Sequence, residues 1–265
     1  MKKLIAILII PTILIVACTD NQDPEPGTQP LLPPGSSMAP DLSAFTEDED
    51  DGGRMAAAEN WAYAAINVGV YSTILGINLV VPVTAYKAAI DQTPSFDTDA
   101  GVWVWAYSTD IPSKGSFEIK LTADVKVTGV EWTGYISKAG EFEDYVWFTG
   151  SSSLDAKSGS WTLYEGPGSS EAWLSSEWTK DDTSDTATST FTVEKDGAAK
   201  GSYITYAISS DTEFDRNVII SDVNAEKQIF IDWSSTNFSG RVKSETYFQD
   251  SFYHCWDQTL SNTEC

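Results

Sequence analysis

The chain has 265 residues and a formal net charge of −23, from 16 Lys and Arg against 39 Asp and Glu. So few bases exclude a nucleic-acid partner, because phosphate binding rests on clustered Lys and Arg, and disfavour docking on anionic lipid headgroups. A dense acidic surface suits solubility in a medium where salt screens its self-repulsion, with cation capture as the functional alternative.

Lys2 and Lys3 give a basic start, and Leu4 to Val16 is an apolar run interrupted by Pro11 and Thr12. Ile15-Val16-Ala17-Cys18 follows. A charged start, a short apolar run and a small residue before the cut mark a secretory signal peptide, here residues 1–17. The run is shorter than the roughly 20 residues of a spanning helix. Its last four residues resemble the bacterial lipobox, which implies diacylglyceryl transfer to the Cys18 sulfur and cleavage before it. The bland alternative is a secreted protein with a chance cysteine. One acyl chain binds membranes marginally, whereas two or three anchor stably. Thr19 rather than aspartate follows the cysteine, which favours an outer-membrane address. Without the leader, 14 bases face 39 acids, a net charge near −25.

Residues 18–54 read as a lipid-anchored, flexible acidic linker. Pro24, Pro26, Gly27, Pro30, Pro33-Pro34-Gly35 and Ser36-Ser37 favour extended, solvated chain. Glu47-Asp48-Glu49-Asp50-Asp51 precedes Gly52, but the position where an EF-hand loop needs its closing Glu holds Ala58. Residues 55–265 are then a single domain, large enough for a substantial core. Residues 60–86 carry no charge and predict a helix apolar on every side, which is buried or spans a membrane. Asn60, Asn67, Asn78, Gly69, Gly76 and Pro82, together with the lipid anchor, favour a core helix. Pro82 predicts a kink or a second helix over 83–90 that ends before Pro94.

From Gly101 onward the pattern is strands. Residues 117–124 alternate apolar and polar with period two, so one face is buried and one wet. Further strands are expected at 101–107, 124–127, 130–137, 142–148, 160–164, 172–179, 186–194, 201–209, 217–222, 228–233, 240–248 and 252–256. Turn signals such as Lys114-Gly115, Ala139-Gly140, Gly166-Pro167-Gly168 and Asp196-Gly197 separate them. Short links favour an antiparallel meander. About ten strands are too many to stay flat. The expectation is a mainly β fold: a meander curled into a half-barrel or barrel, with the hydrophobic helix against its concave face.

Cys18 goes to lipid, which leaves Cys255 and Cys265 as an even remainder in an oxidising compartment. A disulfide closing the C-terminus is expected, worth roughly 2–3 kcal/mol; free thiols and intermolecular bridges stay open. His254 is the only histidine, so a serine triad would have to use it, and no Gly-x-Ser-x-Gly elbow occurs. One histidine and two paired cysteines do not supply a zinc site. Gly166-Pro167-Gly168 lacks the Lys-Ser/Thr of a phosphate loop. Asp97 and Asp99, Asp181, Asp182 and Asp185, and Asp211, Glu213 and Asp215 are calcium candidates, but acidic turns are also what a very acidic β protein shows. A glycosidase carboxylate pair needs a geometry that sequence does not show. No catalytic residue, metal or cofactor is assigned, and no enzyme is expected.

Aromatics are the stronger signal. Trp103, Trp105 and Tyr107 share one face of their strand while Val102, Val104 and Ala106 hold the other, so the strand is apolar on both sides. They are the candidates for ligand contact, with core packing the alternative. The function these features favour is non-catalytic binding of an apolar or amphipathic ligand. The alternative is a surface module contacting glycans or a protein, with a carboxylate-pair hydrolase behind both.

The stretch from Ile231 through Gly240-Arg241-Val242-Lys243 to His254-Cys255-Trp256-Asp257 and Cys265 resembles a group of exported lipoproteins of Bacteroidetes-type bacteria. The helix ending in Val81-Pro82-Val83 and the segment from Val130 to Ser137 fit the same pattern. The resemblance implies the exported compartment and the Cys255–Cys265 pairing, and it brings no activity. The Cys18→Ser variant is expected to lose incorporation of a labelled fatty acid and to leave the detergent phase on Triton X-114 partition; retention of label would refute the lipid assignment.

Overall fold

The computed structural model describes residues 27–45 and 59–265. The leader, Cys18 and the acidic run 47–51 lie outside the described residues.

Fourteen strands form one antiparallel sheet in which each pairs with the next along the chain. They are β1 (Ser95–Asp97), β2 (Val102–Ile111), β3 (Gly115–Lys126), β4 (Gly129–Lys138), β5 (Phe142–Ser152), β6 (Ser158–Gly166), β7 (Ser169–Asp181), β8 (Thr186–Val193), β9 (Tyr203–Ile208), β10 (Arg216–Asp222), β11 (Lys227–Trp233), β12 (Gly240–Lys243), β13 (His254–Trp256) and β14 (Asn262–Thr263). The sheet does not close, so of the two shapes expected it is the half-barrel. Two short strands at its edges, β1 and β14, escape the period-two signal. The expected strand over 240–248 ends at Lys243 and gives way to the short helix α3 (Glu245–Phe248), because Ser244 is an extended N-cap and Gln249 turns left-handed at the far end.

The concave face follows a size rule. In one row across the strands, Trp103, Ala123, Trp132, Gly150, Trp161, Ser176 and Phe191 are successive partners from β2 to β8. Large residues alternate with small ones. Adjacent strands lie only about 4.8 Å apart, so a buried indole must lie over its neighbour, and a small residue makes that possible. Gly134 pairs with Phe148, Gly159 with Trp178 and Gly240 with Trp256 in the same way. A Cβ on Gly150 would come 2.2 Å from Trp161 Cε3 and 2.5 Å from the Ser160 carbonyl.

The helices α1 (Glu59–Thr73) and α2 (Val80–Ala89) flank a π-helical turn at Ile74–Asn78 and meet at 72°. The break therefore precedes Pro82. Proline sits in the first turn of α2, where an N–H would have no partner in any case, so the second helix starts at 80 rather than 83. No single helix among the described residues is long and apolar enough to cross a membrane. In α1, Trp61, Ala64, Val68 and Tyr71 are buried, while Ile66 and Val70 are exposed, so it is not buried all round as expected. Its asparagines are satisfied: Asn60 donates to the Cys255 carbonyl, and Asn67 donates to Tyr63 and accepts from Lys227. The Cys255–Cys265 disulfide closes the C-terminal strands beneath this helix end.

The linker expectation is corrected for the part of it that is described. Pro30 and Pro33 are buried, and Met38, Leu42 and Phe45 lie in the core. Trp161 Nε1 donates to Ser37 Oγ (2.9 Å), Ser176 Oγ to the Ser37 carbonyl (3.0 Å), and Tyr86 to the Pro33 carbonyl (2.6 Å). Proline, glycine and serine build no core of their own, but here they lie in one made by the sheet. Gly150→Ala is expected to cost about 2 kcal/mol through overpacking, whereas Gly69→Ala, with open space at its Cβ, should stabilise by up to about 1 kcal/mol; urea midpoints of the two variants measure both.

Candidate ligand-binding cleft

Trp103, Trp105 and Tyr107 do share the concave face of β2, but that face is filled. Trp105 is fully buried, its ring 5.7 Å from that of Trp132. Trp103 meets Phe96 edge-on at 5.5 Å. The Tyr107 hydroxyl donates to the Ala85 carbonyl in α2, and burial pushes its pKa up. These residues join sheet to helix. Their assignment to ligand contact is corrected to core packing, because Phe96, Trp132 and α2 take up these three side chains.

A cleft lies at one end of the half-barrel. It measures about 780 Å³ and opens where the turns β2–β3, β4–β5 and β6–β7 meet the start of α2. Phe117, Phe142, Trp147, Val80 and Val81 line it with apolar surface; Lys114, Lys138, Glu141 and Glu165 supply charge. The rings form one cluster: Phe142 and Tyr145 lie edge-on to Trp147 at 5.8 and 5.5 Å, and Phe117 at 6.5 Å.

A β-bulge aims the central ring. Gly134 pairs with Phe148 and Tyr135 with Val146, which leaves Trp147 as the extra residue in β5. Strict alternation would send Trp147 and Phe148 to opposite faces; the bulge lets both be buried. Trp173 is the extra residue of β7 in the same way. The run Val146-Trp147-Phe148, which breaks period two, is the sequence signal for the first bulge. Sequence reasoning placed the strand there and missed the cleft.

Polar groups at the cleft are mostly spoken for. Lys138 pairs with Glu141 at 2.6 Å and lies 5.5 Å from the Phe117 ring centre. Lys195 bonds to Glu165, holding that carboxyl below its usual range, and its ammonium sits 4.4 Å over Trp173. The Tyr145 hydroxyl donates to the Ser169 carbonyl; burial raises its pKa. Two donors remain. Lys114 has no ion pair among the described residues, and the buried Trp147 Nε1 has no acceptor, a deficit worth about 1–3 kcal/mol. Trp103, Trp105 and Trp178 share that deficit elsewhere on the concave face.

His254 Nε2 is 3.1 Å from the Asp250 carboxylate, and its ring stacks on Phe248 at 3.8 Å. Asp97, Asp181 and Asp211 accept backbone N–H bonds within their own turns, which lowers the pKa of Asp181 and Asp211. No group of three or more His, Cys, Asp or Glu converges on a metal position among the described residues. No family model, curated protein or solved structure matches the chain. Trp105→Ala is expected to cost roughly 3–5 kcal/mol in the urea midpoint, as loss of a core tryptophan does; a change within about 0.5 kcal/mol, the value for surface substitutions, would restore it as a surface contact.

Proposed function

We propose that the protein is a non-catalytic lipoprotein, exported and held at the outer membrane through lipid on Cys18, that binds an amphipathic anion in the rim cleft. The observation that carries this reading is the pairing of an aromatic lining with the unpaired Lys114 on a protein of net charge −23. The cleft volume of about 780 Å³ suits a small-molecule ligand, whose sites run from roughly 300 to 1,000 Å³. Phe117, Phe142 and Trp147 would take the apolar body, Lys114 the anionic head, and the Trp147 N–H an acceptor near it. The other charges of the cleft neutralise one another in pairs, Lys138 with Glu141 and Lys195 with Glu165, which suits holding a ligand rather than moving a proton. A second reading, contact with glycans or a partner protein, has the exposed rings of Tyr247 and Phe252 in its favour.

Titration of the mature protein with dodecanoate, followed by tryptophan emission, tests the first reading. Dodecanoate is expected to bind and dodecyltrimethylammonium not to, with Trp147→Ala and Lys114→Glu each weakening dodecanoate at least tenfold. Silence towards both amphiphiles, or binding that ignores both substitutions, would overturn it.

A further inference from the structure

A second recess lies on the convex face of the C-terminal strands, away from the rim cleft. It measures about 320 Å³ and is lined by Glu226, Gln228, Phe230, Lys243, Glu245 and Thr246. The cation on its wall is held in an unusual way for so acidic a chain. Arg241 lies 4.8 Å from the Phe214 ring centre and 4.2 Å from that of Tyr253; Lys243 lies 5.2 Å from Tyr253 and 4.6 Å from Phe230. Rings and cations thus alternate along the face. Asp232 neutralises Arg241 at 2.7 Å. Lys243 has no carboxylate partner among the described residues, although Glu226 and Glu245 line the same recess. The two rings fix the ammonium in place by cation–π attraction, and the carboxylates stay beyond ion-pair distance. Neither carboxylate, nor the Gln228 amide, has a side-chain partner among the described residues.

Opposite charges in one recess, each unpaired, suit a ligand that carries the complementary pair. We infer that this recess is a binding site for a small basic α-amino acid, with its carboxylate on Lys243 and its amines on Glu226 and Glu245. Two carboxylates against one ammonium leave the site at −1, and a molecule with two amines and one carboxylate at +1 matches it. The Gln228 amide and Thr246 hydroxyl add hydrogen bonds to either end. The site is independent of the rim cleft and does not rest on the ligand proposed there.

Calorimetric titration of the mature protein with L-lysine tests the inference, with L-glutamate and glucose as comparators. L-lysine is expected to bind, more weakly as salt rises, with L-glutamate and glucose giving no heat. Lys243→Met, which keeps the stem on Phe230 but removes the charge, and Glu245→Gln should each weaken L-lysine at least tenfold. Both are surface changes, so an unchanged thermal melt will show that folding is intact. Absence of heat with L-lysine, equal binding of L-glutamate, or binding indifferent to both substitutions would each overturn the inference.

Discussion

Ten tryptophans in a chain of this length raise a steric problem before any functional one. Strands in a sheet are about 4.8 Å apart, less than the width an indole needs when it lies flat on the concave side. The alternation of large and small residues from Trp103 to Phe191 solves it. Each ring covers a small neighbour, the rings tile the surface, and the sheet bends around them instead of flattening. Where the small residue is serine it has a further use. Ser176 and Ser189 donate to the Ser37 and Ser36 carbonyls, so the same rows that seat the rings also receive the N-terminal segment.

The filled centre then decides where a ligand has room. With α1, α2 and the segment ending at Phe45 packed on the concave face, space remains at the rim, where hairpin turns and the first turn of α2 do not interlock. The bulge at Trp147 adds a ring to this rim that regular pairing would have turned outward. The lysines are few, and many are held by carboxylates at short range, Lys120 by Asp144, Lys138 by Glu141 and Lys180 by Asp182. Against that background an ammonium without a carboxylate is informative, and Lys114 and Lys243 are two such groups.

Much of the fold was legible because β-meanders advertise themselves locally. Alternation over 117–124 and 130–137 and glycine turns between them are short-range signals, and they located β3 and β4 within a few residues. What escaped depends on distant partners. Three residues in β1 and two in β14 carry no period; pairing alone makes them strands. Tyr247 and Phe248 look like strand residues until Ser244 caps a helical turn in front of them. The burial of Met38, Leu42 and Phe45 was hidden by the prolines around them, since composition reports whether a segment can build a core and not whether it can enter one. The concave location of Trp103, Trp105 and Tyr107 was legible, but that the cavity above them is full was not.

The buried N-terminal segment also shortens the tether that the proposed lipidation of Cys18 would leave. A linker running to residue 54 would let the body roam far from its anchor. With Pro30 already buried, a lipid on Cys18, as proposed, would be joined to the body by the 12 residues from Cys18 to Pro30, at most about 40 Å when fully extended. That length is several times the roughly 8 Å over which physiological salt screens charge. The body from Pro30 onward carries 14 bases against 36 acids, a net charge of −22, and would therefore stand clear of an anionic surface while remaining close to it. On the function proposed above, repulsion would hold the acidic surface off the headgroups, and so short a tether would leave the cleft within reach of what leaves them.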